Sequence, residues 1–375
     1  MLNVYVSATR QNDGKTAVSL GLVAGLQKRF PRVGYMKPVG QQVNIFGRYR
    51  IDKDVSLMSG ILKSDNIMHF MSPVAIPSGF TEKYIIKQKP RNLSKKILTY
   101  YTEVSKSADI MVIEGTGHAG VGSVIDLSNA DVAHILKIPV IIVSSGGIGK
   151  PIDEIMLNKA LFDLRGVTVI GAVINKVIPE KYDKISKFIR LGLKQKGIDV
   201  LGIVPYYPKL ANPTVREIID VIGGNIINES AKIDLPISST VVGLMPATNA
   251  LKVLRDDVLL ITPGNREDLI LTAITSNLLH FDDDFKIRGL ILTGGVPLGK
   301  TIMKAVHQAD FPIITCEYDT YKTSQKINNI IIKLKPNDTE KIAMTVDIMD
   351  KYIDYDLLIA KLKKYPGIEK KNSLL

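Results

Sequence analysis

Thr9-Arg10-Gln11-Asn12-Asp13-Gly14-Lys15-Thr16 is the stretch on which the fold turns. It follows a β-rich run at residues 2–7 and opens a helical pattern at 16–29, where Val18, Leu22 and Leu26 recur at i, i+4 and i+8. A strand, a loop closing on Gly-Lys-Thr and a helix form the context in which such a tripeptide cradles phosphate. Backbone N–H groups of Asn12, Asp13 and the helix N-terminus would surround nucleotide phosphates. Gly14 lets the backbone come close, Lys15 would reach the β- and γ-phosphates, and the Thr16 hydroxyl would bind Mg²⁺. The usual first glycine, five residues before Gly14, is Thr9 here. Arg10 can add a phosphate contact or stand in solvent.

Working outward, apolar runs alternate with amphipathic patterns to about residue 205. Strands are expected at 33–36, 110–114, 140–144, 167–175 and 200–204, and helices at 93–107, 151–164 and 180–196. This alternation predicts an α/β fold with a parallel sheet covered by helices on both faces. The pattern restarts near 212 as a smaller α/β unit. Its strands are expected at 241–243, 258–261, 289–292 and 313–315, with helices at 267–279 and 298–309. Asn337-Asp338-Thr339-Glu340 offers caps for a helix running to Tyr352, and 370–375 reads as a frayed tail. The division is therefore 1–211, 212–350 and a helix end with tail at 351–375.

Composition agrees with more than one core. The chain has 375 residues, 45% of them hydrophobic and 23% charged, so two or three domains are expected. Its single cysteine, Cys316, excludes an internal disulfide and reads as a buried thiol. Met1-Leu2-Asn3-Val4-Tyr5-Val6 reads as a first strand and not a signal peptide, and apolar runs such as 138–143 are strand-length. A cytoplasmic protein without a membrane partner is expected. The net charge is +12, from 49 Lys+Arg against 37 Asp+Glu. The basic residues are dispersed, with modest clusters at 83–96 and 361–371, and no nucleic-acid-binding motif accompanies them. They read as solvated surface.

A phosphate loop needs acidic groups for Mg²⁺ and, in an enzyme, residues for the acceptor. Asp52 and Asp54 stand in Arg50-Ile51-Asp52-Lys53-Asp54. Glu114 ends the run Ile110-Met111-Val112-Ile113, just before Gly115-Thr116-Gly117. A carboxylate at the C-terminal end of a parallel strand faces the ligand crevice. Lys37, after the second strand, can stabilise a transferring phosphoryl group, hold an anionic acceptor, or simply snorkel at a strand end. His118 reads as a loop histidine with a general base as the lesser alternative.

In that order, the loop, Gly34–Val39 (residues 34–39), the paired aspartates and Glu114-Gly115-Thr116-Gly117 resemble the dethiobiotin synthetase fold family. The resemblance implies a Mg²⁺ sphere of Thr16, Asp54 and Glu114. It implies that Lys15 and Lys37 flank the transferred phosphoryl group and the acceptor. Asn175, in Ile174-Asn175-Lys176-Val177, matches the residue that contacts adenine. A closer resemblance is to the N-terminal half of long bacterial phosphotransacetylases. It rests on residues 123–133, on Gly146-Gly147-Ile148-Gly149-Lys150-Pro151 and on Val204-Pro205-Tyr206-Tyr207-Pro208. The second unit resembles the DRTGG domain that follows in those proteins, through residues 246–251, 262–268, 292–296 and 318–323. Asn265 stands where that pattern has an aspartate. The chain ends soon after this unit, so acetyl transfer from acetyl-CoA is not expected.

Three readings follow. The first is an ATP- and Mg²⁺-binding protein with a regulatory or sensing role through its DRTGG unit. The second is an ATP-dependent ligase that activates a carboxylate or carbamate, motivated by Lys37 and Glu114. The third, a scaffold, requires Gly14-Lys15-Thr16, Asp54 and Glu114 to coincide by accident. The partners expected are a nucleotide, a small anionic substrate or effector and, from the resemblance, a second copy of the chain.

Overall fold

The structure is a computed structural model that describes residues 1–87, 92–229, 232–279, 286–330, 332 and 334–365. The tail expected at 370–375 lies outside them, as do parts of both basic clusters. The chain forms two compact units, Met1–Tyr206 with Leu334–Leu375, and Tyr207–Lys333.

In the first unit six strands make one parallel sheet: β1 (Leu2–Ala8), β2 (Val33–Met36), β3 (Ile110–Glu114), β4 (Val140–Ser145), β5 (Val169–Val177) and β6 (Val200–Pro205). Their spatial order is β6-β5-β4-β1-β3-β2. Every residue of β3 is buried, as is nearly every residue of β4 and β5, so both faces of the sheet are covered by helices. That double burial is why these strands read as continuous apolar runs. The chain progresses to one side of β1 through β2 and β3, then crosses to the other side at β4. The crevice above the carboxyl ends of β1, β3 and β4 is therefore a switch point, where open α/β sheets place their ligands. The helix α1 (Lys15–Gln27) leaves β1 at this crevice.

Expected elements and observed ones differ mainly at their ends. The helix expected at 180–196 divides into a short 3₁₀ turn, Pro179–Lys181, and a helix, Tyr182–Gln195. An antiparallel hairpin pairs Val43–Phe46 with Tyr49–Asp52, and Asp52 then caps the helix Lys53–Leu62.

Two further helices, Thr339–Tyr352 and Tyr355–Lys364, belong to this unit. The sequence division groups residues 334–350 with the second domain. In the structure Thr345, Ile348 and Met349 are buried, and the helix that carries them lies along α1. The Tyr355 hydroxyl donates to the Gly21 carbonyl at 2.8 Å, and the Asp354 N–H donates to the Leu201 carbonyl at 2.7 Å.

The second unit holds a five-stranded sheet of β7 (Asn225–Ile226), β8 (Ser239–Val242), β9 (Val258–Pro263), β10 (Ile287–Thr293) and β11 (Ile313–Cys316). The order is β7-β11-β10-β9-β8, with only β7 antiparallel to its neighbour. Apolar cores lie against it, one centred on Leu260, Ile270 and Leu290, another on Ile218, Ile261 and Ile314. Cys316 is a buried free thiol, 3.3 Å from the Thr323 hydroxyl. Among the described residues no helix is long and apolar enough to cross a membrane.

Candidate functional site

The phosphate loop is held from three sides. Gly14 caps α1 with φ +93°, a left-handed conformation, and a Cβ there would lie 2.1 Å from Asn175 Nδ2. No side chain caps the start of α1, so its first N–H groups face the crevice. Thr9, at the position of the missing glycine, is buried. Its hydroxyl donates to Asp13 Oδ2 at 2.7 Å and lies 3.0 Å from the Ser144 hydroxyl, while the Arg10 N–H also donates to Asp13 Oδ2. The threonine thus ties the loop where a glycine would only permit its bend. From the end of β5, Asn175 Nδ2 donates to the Asp13 carbonyl at 2.9 Å and Lys176 Nζ donates to the Asn12 carbonyl at 2.7 Å. The Arg10 side chain pairs with Glu154 at the loop's rim.

Lys15 is only 9% exposed, and among the described residues its ammonium has no ion pair or hydrogen bond. Burial lowers its pKa despite the pull of Glu114. A buried ammonium of this kind demands an anionic partner.

A second constellation lies beside the loop. Glu114, at the end of β3, accepts from the Thr16 hydroxyl on Oε1 and from the Tyr35 hydroxyl on Oε2, each at 2.9 Å. Lys37 Nζ pairs closely with Asp54, lies 3.1 Å from Asp52 Oδ1 and 4.0 Å from Glu114 Oε1. Asp52, Asp54, Lys37 and Glu114 are all buried. Burial alone would lower the Lys37 pKa, but the carboxylates of Asp54, Glu114 and Asp52 raise it overall, so the ammonium stays charged. Glu114 is pushed up by burial and by the neighbouring Asp54, against the pull of Lys37 and Lys15. Asp52 is pinned by its own backbone, whose N–H donates to the Ser72 hydroxyl, and its Oδ1 accepts from the Asp54 N–H.

The loop after β3 is braced by Asn129. Its Oδ1 accepts from the Tyr5 hydroxyl at 2.9 Å and the Thr116 N–H at 3.0 Å, and its Nδ2 donates to the carbonyls of Thr116 and His118. His118 itself is exposed.

The structure thus brings Asn12, Asp13, Gly14, Lys15, Thr16 and Asn175 to one loop, and Thr16, Lys37, Asp54 and Glu114 to one cluster beside it. Tyr35, Asn129, Ser144 and Lys176 join them without having stood out in the sequence. Lys176 follows directly on Asn175, and a basic residue at a strand's carboxyl end was the one signal available for it.

Residues 3–214 match the AAA domain family and residues 217–330 match the DRTGG domain family. The phosphate acetyltransferase of Nitratidesulfovibrio vulgaris is 26% identical over 375 residues, covering 96% of this chain and 51% of the relative. That of Pseudomonas putida is 24% identical over 374 residues, covering 94% and 51%. The chain spans about half the length of the curated relatives it matches. The septum site-determining protein MinD of Pyrococcus horikoshii, complexed with Mg-ADP, aligns with a TM-score of 0.35 at 17% identity, over 56% of this chain and 83% of that one. The CBS and DRTGG domains of Clostridium perfringens pyrophosphatase align with a TM-score of 0.28 at 15% identity, over 46% and 85%.

Proposed function

Since the chain belongs to the AAA domain family and carries a DRTGG domain after it, we propose that it is a Mg–ATP-binding protein of the cytoplasm whose DRTGG unit serves regulation or sensing. The observation that carries this reading is the buried, unpaired Lys15 ammonium at the uncapped start of α1. Two phosphate-binding devices converge there, a desolvated cation and a row of free N–H groups. Asn12, Asp13 and Gly14 would supply loop backbone, and Asn175, buried beside the loop, would contact the adenine, as the family resemblance implies.

The residues fit magnesium as well. Mg²⁺ favours one or two carboxylates plus phosphate oxygens over an all-protein cage. Among the described residues no group of three or more His, Cys, Asp or Glu is arranged to hold a metal. Thr16, Asp54 and Glu114 would hold the ion, which when bound would neutralise phosphate charge. Lys37 balances the same carboxylates, and Tyr35 orients Glu114 towards Thr16. Isothermal calorimetry with Mg–ATP tests the reading. Tight binding is expected, and Lys15→Ala should weaken it at least about tenfold, the ~1.4 kcal/mol expected of a lost charge-assisted contact. Absence of binding by the wild-type chain would sink it.

A second reading is favoured by Lys37. A buried lysine beside the phosphate loop, held among three carboxylates, can present charge to an anionic acceptor, as in an ATP-dependent ligase that activates a carboxylate or carbamate. ADP release stimulated by a member of a carboxylate and diamine panel would support it; a flat panel would count against it. A homodimer is part of the proposal, tested by sedimentation.

A further inference from the structure

The first unit contains a cavity of about 260 Å³ that the nucleotide reading does not use. It lies between the hairpin turn and the helix Leu93–Ser105, and ten residues line it. Four carry or can carry positive charge: Arg48, Arg50, His69 and Lys96. No lining residue is Asp or Glu. Among the described residues, no carboxylate pairs with Arg48, Arg50 or Lys96. The surface has many ion pairs elsewhere, such as Arg32 with Asp109 and Arg216 with Asp234, so this concentration of uncompensated charge is local.

Three rings, Tyr49, His69 and Tyr100, form part of the wall. Tyr49 stacks on His69 with ring centroids 4.6 Å apart, and Phe70, behind His69, meets Tyr100 edge-on at 5.1 Å. Two of the cations are laid on these rings: Arg48 lies 5.0 Å from the Tyr49 centroid and donates to its hydroxyl at 2.9 Å, and Lys96 lies 5.1 Å from the Tyr100 centroid. Ring contact preorganises the cations without neutralising them. Partial burial, with no carboxylate to offset it, lowers the Lys96 pKa. A guanidinium fork binds carboxylate or phosphate bidentately, and the flat walls favour a planar ligand body. The volume falls just under the ~300–1,000 Å³ of ordinary small-molecule sites, which limits the ligand to a single small ring or its equivalent.

We propose that this cavity is a second anion site, which takes a small planar dianion bearing carboxylate or phosphate groups on Arg48, Arg50 and Lys96. A short hydrogen-bonded path joins the cavity wall to the nucleotide side. Ser72 lines the cavity, its hydroxyl accepts from the Asp52 N–H at 3.1 Å, and the Asp52 carboxylate faces Lys37. The Lys37 N–H in turn donates to the carbonyl of Met71, the neighbour of Ser72.

The test uses the full chain and two probes, phthalate for the carboxylate source and phenyl phosphate for the phosphate source, titrated calorimetrically at low salt. The expected result is one-to-one, salt-sensitive binding of at least one probe. Arg48→Ser/Arg50→Ser together should weaken it at least tenfold, and Lys96→Gln should weaken it measurably. Mg–ATP affinity should stay unchanged in the same variants, and an unchanged melting midpoint shows that they fold. If only Lys15→Ala abolishes probe binding, the anion sits on the phosphate loop and the proposal fails. It fails equally if neither probe binds, or if the hairpin variants bind as wild type does. Because neither probe requires ATP, failure here is separable from failure of the nucleotide reading.

Discussion

At Lys37, backbone and charge are set by different neighbours. The main chain is fixed by Met71, while the ammonium is fixed by Asp54, Asp52 and Glu114. Removing the ammonium leaves three buried carboxylates to repel one another. Lys37→Met should therefore destabilise the first unit by about 3–5 kcal/mol, the range for breaking a buried ion pair from one side. Urea unfolding monitored by circular dichroism checks this, and an unchanged midpoint would refute the charge balance described for the cluster. Gly14 is constrained by geometry instead. Gly14→Ala combines a φ of +93° with a Cβ 2.1 Å from Asn175 Nδ2. About 1–3 kcal/mol of strain is expected, with loss of ATP binding, because the loop must shift away from Asn175 to make room.

At the level of elements, the legibility of the fold followed burial. Strands β3 and β4 are sequestered on both faces, so an uninterrupted apolar run was sufficient to mark them. The hairpin Val43–Phe46 and Tyr49–Asp52 escaped because its first strand has no buried face, Ile45 being 76% exposed and Phe46 41%, and only Ile51 and Asp52 of its second are buried. The helix Asn129–Leu136 is too short for periodicity to show, yet a capping box starts it. The Ser128 hydroxyl accepts from the Asp131 N–H, and the Asp131 carboxylate accepts from the Ser128 N–H. Ser128→Ala should cost about 1 kcal/mol, seen as a lower melting midpoint in calorimetry. Asn129 rides on this helix, so the loop after β3 should loosen as well. The candidate site divides in the same way. Thr16, Lys37 and Glu114 announce themselves by position next to strand ends and glycines, whereas Asp54 is picked out by its pairing with Asp52 and by the family resemblance. Tyr35 and Asn129 act on partners 79 and 124 residues away in sequence, and no local pattern carries that information.

At the scale of the molecule, the first unit is completed by chain that follows the second unit in sequence. α1, which carries Lys15 and Thr16, is backed by the helix Thr339–Tyr352 and by Tyr355. The contact is close: a Cβ on Gly25 would lie 2.3 Å from the Tyr355 ring. Tyr355→Phe removes the hydrogen bond to the Gly21 carbonyl and should cost about 1 kcal/mol of stability, measured by chemical denaturation. Gly25→Ala should cost more, since α1 and the Tyr355 ring must part to admit the methyl group. This ordering has a consequence during synthesis. A ribosome adds roughly 5–20 residues per second, so on the order of ten seconds separates the emergence of Tyr206 from that of Leu334. Throughout that interval the back of α1 is an apolar surface awaiting its cover, and a nascent chain stalled in the second unit would present it to chaperones and proteases.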